Sequence, residues 1–84
     1  MKTVKVKIAE KKIKQIKINT DFIRLDSALK LADLVQSGGH AKALIQDGEV
    51  KVNGETELQR GKKIVPGDVI EYKSNSLVIK KKEI

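Results

Sequence analysis

The apolar residues of this chain change their spacing twice, and that change limits the folds open to it. Val4, Val6 and Ile8 alternate with Lys5 and Lys7, and Ile16 and Ile18 flank Lys17 in the same way. A period of two sends neighbouring side chains to opposite faces, so each run predicts a half-buried strand with a basic outer face. Residues 9–12 would turn between them, which predicts an N-terminal β-hairpin. That turn lacks Gly or Asn, and a lysine-rich amphipathic helix is the competing form, opposed by the β-branched residues. From Leu25 the spacing becomes helical. Leu25, Leu29 and Ala32 form a stripe widened by Ala28 and Leu31, which predicts a helix over about 25–34, started by Asp26 or by Thr20–Asp21.

Gln36-Ser37-Gly38-Gly39 interrupts that helix. Ala41, Leu44 and Ile45 mark a second one over about 39–46, with Ser37 as its N-cap and Gly48 beyond its end. Alternation then returns at Glu49–Val52. Asn53-Gly54 is a strong hairpin-turn signal, and Pro66-Gly67-Asp68 is a turn in which Pro presets φ and Gly tolerates a positive one. Between them, residues 55–63 read as an irregular strand and a basic loop. A strand is predicted over 69–73, a turn over 74–76 and a closing strand over 77–79, with Lys80, Lys81 and Lys82 in a solvated tail. Adjacent helices between adjacent hairpins predict an α+β fold with an antiparallel sheet. The expected division is a basic N-terminal hairpin over 1–20, a domain over 21–80 and a tail over 81–84.

Eighty-four residues suffice for one domain with one modest core. The absence of cysteine removes disulfides and thiolate-bound metals and fits a reducing compartment. The charged N-terminus lacks the apolar run of a signal peptide, and no stretch approaches the roughly 20 apolar residues of a membrane span. A cytoplasmic address is expected. A net charge of +7 favours polyanionic partners, nucleic acid ahead of anionic membrane. Residues 1–20 hold seven lysines against one glutamate, and residues 21–60 are net acidic. The excess at the two ends makes a basic surface only if those ends fold beside the binding element.

The ordered set Arg24-Leu25-Asp26, Leu29, Ser37, Ala41-Lys42, Leu44-Ile45, Gly48, Val50-Lys51-Val52-Asn53-Gly54 and Pro66-Gly67-Asp68-Val69-Ile70-Glu71 resembles the RNA-binding domain first described in ribosomal protein S-four of the small subunit. The resemblance spans residues 24–72. Single elements such as VNG or PGD are weak; their order and spacing are specific. The stretch around LKLADLVQSGGHAKALI looks like the small stand-alone bacterial members. The resemblance implies two short adjacent helices packed at an angle on a small bent antiparallel sheet, here with an extra N-terminal β-hairpin. It also implies RNA binding across the second helix and the strand after it, and a ribosome-associated role.

The residues themselves suit that role. Ser37, Gly38 and Gly39 would place exposed amides at a helix start, where the dipole favours phosphate. Lys42 lies one turn on, and Lys51 projects opposite Val50 and Val52, so both lysines are expected beside one phosphate track. Arg24, Asn53 at the turn, and Arg60, Lys62 and Lys63 in the loop complete the expected RNA-binding set. His40 either meets a phosphate or base or is an ordinary exposed helix residue. Gly38 and Lys42 depart from the family pattern, which commonly carries arginine at both places. Lysine offers a point charge instead of a bidentate fork, so the loop or Lys5, Lys7 and Lys17 would supply the missing charge. With Phe22 expected to plug the core and Tyr72 expected half-buried with its hydroxyl in water, stacking is not foreseen. Recognition of a folded RNA, rRNA or ribosomal particles foremost, would run through backbone and shape.

No nucleophile–base pair, P-loop or dinucleotide fingerprint is present in the sequence, and a lone histidine without cysteine does not suggest a metal site. Asp26 reads as a helix cap and not as a catalytic acid, and no catalytic residue, cofactor, membrane or small-molecule substrate is expected. A monomer is the expected state. Three rivals remain on this reading. A β-grasp carrier has a similar size and turns, but this chain ends Lys82-Glu83-Ile84 and not in Gly-Gly. A membrane-surface or protein-docking module would use the basic hairpin but lacks a large apolar face. A detached RNA-binding arm of a pseudouridine synthase would take its catalysis from a partner.

Overall fold

A computed structural model describes residues 12–83. Strand β1 covers Lys12–Ile18 and β2 covers Ile23–Arg24; helix α1 runs over Leu25–Leu31 and α2 over Gly38–Gln46. Strands β3 (Val50–Val52), β4 (Glu55–Thr56), β5 (Lys63–Ile64), β6 (Val69–Tyr72) and β7 (Asn75–Lys81) follow. The class is α+β. Five strands form one sheet in the order β1-β7-β6-β3-β4, and β2 and β5 form a separate two-stranded ribbon.

Local chemistry explains most of these boundaries. Asn53 and Gly54 both have positive φ, 53° and 87°, the pair that a tight hairpin turn between β3 and β4 requires. Both helices end in the same way. Past α1, Asp33 enters the left-handed region at φ 61°, its amide donates to the Lys30 carbonyl, and the Leu34 amide donates to the Leu29 carbonyl. Past α2, Gly48 takes that place at φ 78°, with amide bonds Gly48 to Ile45 and Glu49 to Leu44. These paired bonds satisfy carbonyls that a helix end leaves open. Helix α1 therefore stops three residues before the expected Leu34, because the stop is set by Asp33 and not by the glycines at 38 and 39.

The sheet is antiparallel except at β1, which lies parallel to β7 with Ile16 opposite Ile79 and Ile18 opposite Lys81. The β6–β7 hairpin delivers β7 in the same direction as β1, and burying Ile16, Ile18 and Ile79 on one face fixes the register. The first strand of the expected N-terminal hairpin, Val4–Ile8, lies outside the described residues, as do Lys5 and Lys7. The β6–β7 turn falls at Lys73 and Ser74, one residue earlier than expected, so β7 begins at Asn75. It also runs further than expected. Lys80 and Lys81, read as tail, are strand residues with exposed side chains, and the Lys82 amide donates to the Ile18 carbonyl.

One core joins sheet and helices: Leu25, Ala28 and Leu29 of α1, Ala41 and Ile45 of α2, and Val50, Ile64, Ile70, Leu77 and Ile79 of the strands. Burying each of the larger side chains contributes about 1.5–3 kcal/mol against exposure. Two aromatic expectations are corrected. Phe22 does not plug the core: it is 43% exposed, because the strand alternation that buries Ile64 and half-buries Ile23 turns Phe22 outward. Tyr72 is 8% exposed and belongs to the core beside Val50, its partner across the sheet.

Candidate nucleic-acid interface

Two groups of the expected residues come together, at two different places. The first is the start of α2. Ser37 is its N-cap in extended conformation, and its Oγ accepts from the His40 amide at 3.1 Å. The Ser37 carbonyl takes the Ala41 amide at 3.1 Å. Among the described residues no hydrogen bond takes the amides of Gly38 and Gly39. A side chain on Gly38 would meet nothing within 4 Å, so the approach to these amides is open. His40 Nδ1 accepts from the Gln36 amide at 3.4 Å, and the side chain is exposed. Lys42 is exposed on the same helix.

The second group surrounds the start of α1, where the amides are already satisfied. The Leu25 amide donates to the Lys62 carbonyl at 2.9 Å and the Asp26 amide to the Arg60 carbonyl at 3.1 Å. The basic loop is thereby anchored to the helix. Arg24 grips Asp26 with Nε on Oδ1 and Nη2 on Oδ2, both at 3.2 Å, while Asp26 Oδ1 also accepts from the Ser27 amide. Asp26, expected to cap the helix, is instead an acid of its first turn, and the N-cap position belongs to Arg24. The Arg24 guanidinium lies over the loop at Gly61, where a Cβ would sit 3.5 Å from it, an ordinary contact distance. Lys63 pairs with Arg24 across the ribbon and extends its ammonium over the Phe22 ring, 4.6 Å from the centroid.

Lys51 stands apart from both groups, whereas Asn53 lies beside Lys62 and Lys63 of the second. Lys51 is exposed on the sheet face opposite Val50 and Val52, between Thr56 and Glu71 in register. Lys42 and Lys51 thus occupy different layers of the fold. Asn53 is engaged through its amide and both polar atoms of its side chain. Its amide donates to the Val69 carbonyl at 2.8 Å, its Nδ2 to Asp68 Oδ1 at 3.0 Å, and its Oδ1 accepts from the Val69 amide at 2.9 Å. Asp68 Oδ2 accepts from the Val65 amide at 2.9 Å. The two turn motifs are one clamp. Beside it, Asn53, Lys62 and Lys63 line a shallow depression of about 430 Å³ together with Glu55, Glu57 and Asp68, whose acids offset the lysines.

The model for the S4 domain matches residues 16–80. The chain belongs to the S4 domain family. A relative from Bacillus subtilis (strain 168), named "Probable ribosome maturation protein RlbA", is 50% identical over 56 residues, which is 67% of this chain and 79% of that protein. Another from Escherichia coli (strain K12), named "Putative RNA-binding protein YbcJ", is 35% identical over 57 residues, 68% of this chain and 81% of that protein. Membership of the S4 domain family sets aside the β-grasp carrier. Among the described residues of this S4 domain no group of three or more His, Cys, Asp or Glu could hold a metal ion, and no helix is long and apolar enough to cross a membrane.

Sequence reasoning missed two features of this S4 domain. One is the closeness of Gly61 to the guanidinium of Arg24, a residue far away in the chain. The other is the outward turn of Phe22, which the alternation Phe22-Ile23-Arg24 opposite Lys63-Ile64-Val65 would have signalled had the short ribbon been foreseen.

Proposed function

We propose that this protein binds folded RNA, rRNA or its precursors foremost, by gripping the phosphate backbone at the start of α2. The contrast between the two helix starts carries this reading. The amides of α1 are covered by the loop carbonyls of Arg60 and Lys62, whereas those of Gly38 and Gly39 have no partner in the described fold. Two open amides at the positive end of a helix favour a phosphate oxygen. Lys42 and His40 are exposed on the same helix, and Arg60, Lys62 and Lys63 offer a second set of cations beside α1. Lys51 contributes to the general field from the other sheet face, and Asn53 acts through the turn it holds. Family membership and the names of the two relatives support RNA binding and a role in ribosome maturation; in this proposal the protein acts in the cytoplasm, as a monomer and without catalysis of its own.

Crosslinking in cells with sequencing of the bound RNA tests the partner, and enrichment of one rRNA helix is the expected result. Recovery of nothing above background would overturn the reading. Gly38→Asp tests the grip. A carboxylate there complements the helix dipole and fits the open space, so thermal stability should hold or rise slightly. RNA affinity should fall at least tenfold in a gel-shift titration. Lys42→Glu should weaken binding and reduce the slope of log affinity against log salt by about 0.7–0.9, the share of a single phosphate.

A further inference from the structure

The outward face of the β2–β5 ribbon has a composition that the backbone grip does not use. Ile23 and Ile64 are directly paired and face inward, Ile64 with no exposure. Alternation therefore sends Phe22, Arg24, Lys63 and Val65 to the opposite side. Phe22 is 43% and Val65 41% exposed, so two apolar side chains lie in water among cations. The backbone that carries the phenyl ring is held in place. Thr20 Oγ1 donates to the Phe22 carbonyl at 2.8 Å, and the two following residues are locked in the ribbon. Arg24 is fixed by Asp26 over Gly61, and the Lys63 ammonium covers part of the ring.

We infer that this face is a stacking site for one unpaired RNA base. A base lies on the Phe22 ring beside Val65, and its neighbouring phosphates meet Lys63 and Arg24. Aromatic rings on a rigid strand, flanked by cations, are the physical means by which proteins hold unstacked bases, because every base has a π face and every nucleotide a phosphate. The ammonium of Lys63 has two alternatives of the same sign: the negative face of the ring when no RNA is present, and a phosphate when a base takes that face. The inference rests on the RNA reading above but adds a preference that backbone contact alone does not give, for RNA with an unpaired nucleotide.

The experiment compares a 12-nucleotide oligoadenylate RNA, carrying 2-aminopurine at its centre, with a blunt 12-base-pair RNA duplex at one salt concentration. Phe22→Leu keeps an apolar side chain and removes the π face. It should lower affinity for the single strand about 5- to 100-fold, the range for loss of one stacked base, and change duplex affinity less than twofold. Phe22→Trp should retain single-strand binding, with its own fluorescence quenched by the adenines. Equal losses on both RNAs, or no loss on either, would overturn the stacking site, as would a Phe22→Trp protein that binds without quenching. If the wild type binds neither RNA, the RNA reading fails and the stacking site with it. Binding to the duplex that Gly38→Asp abolishes and Phe22→Leu leaves untouched, without any single-strand effect, sinks only the stacking site.

Discussion

Asn53 shows how a single residue can serve two turns. It adopts a positive φ that asparagine tolerates better than most residues, and its side chain crosses to the Pro66-Gly67-Asp68 turn. Asn53→Ala loses two hydrogen bonds and the tolerance for that backbone, and should cost about 2 kcal/mol in urea unfolding. With Asp68→Ala it should show a coupling energy of about 1 kcal/mol in a double-mutant cycle; additive effects would mean the clamp does not exist. Asp33 gives the opposite expectation. It holds the left-handed place after α1 that glycine holds after α2, so Asp33→Gly should stabilise the protein by about 0.5–1 kcal/mol. The turns were legible in the sequence as two separate dipeptide signals. Their union was not, because it depends on the sheet bringing distant residues into contact. Phe22 was misplaced for a related reason: a two-residue strand leaves too short a pattern to say which side faces the core.

Among the elements, α2 was the most legible. Its cap, its apolar stripe and its stop all lie within a dozen residues, and the structure reproduces the start to within one position and the end at Gln46. Helix α1 was legible in its apolar face but not in its end, since an aspartate in the left-handed region carries no strong signal. Strand β1 was legible as a strand and not in its partner. A period-two pattern fixes which residues are buried, and is silent on whether the neighbour runs parallel. The pairing found places Lys17 directly beside Lys80. Like charges in that relation oppose each other, so Lys80→Glu should raise stability by about 0.5 kcal/mol at low salt, and the gain should shrink as salt is added. An equal gain in high and low salt would point to packing instead of charge.

For the whole molecule, the proposed recognition is divided between the start of α2 and the outward ribbon face, and the carbonyls of Arg60 and Lys62 anchor the loop to α1. The class of the fold and the family were readable from ordered motifs. Which motif residues face a ligand and which hold the scaffold was not: Arg24-Leu25-Asp26 and Asn53-Gly54 owe much of their spacing to internal bonds. The parallel union of β1 with β7 has a further consequence for how the chain is made. Strand β1 leaves the ribosome early, and its neighbour begins only at Asn75. Until β7 is available, this lysine-bearing edge strand has no neighbour in the sheet to match its backbone. Closing the sheet is a late, long-range event of the kind that slows folding, so the completed domain appears only once β7 has emerged.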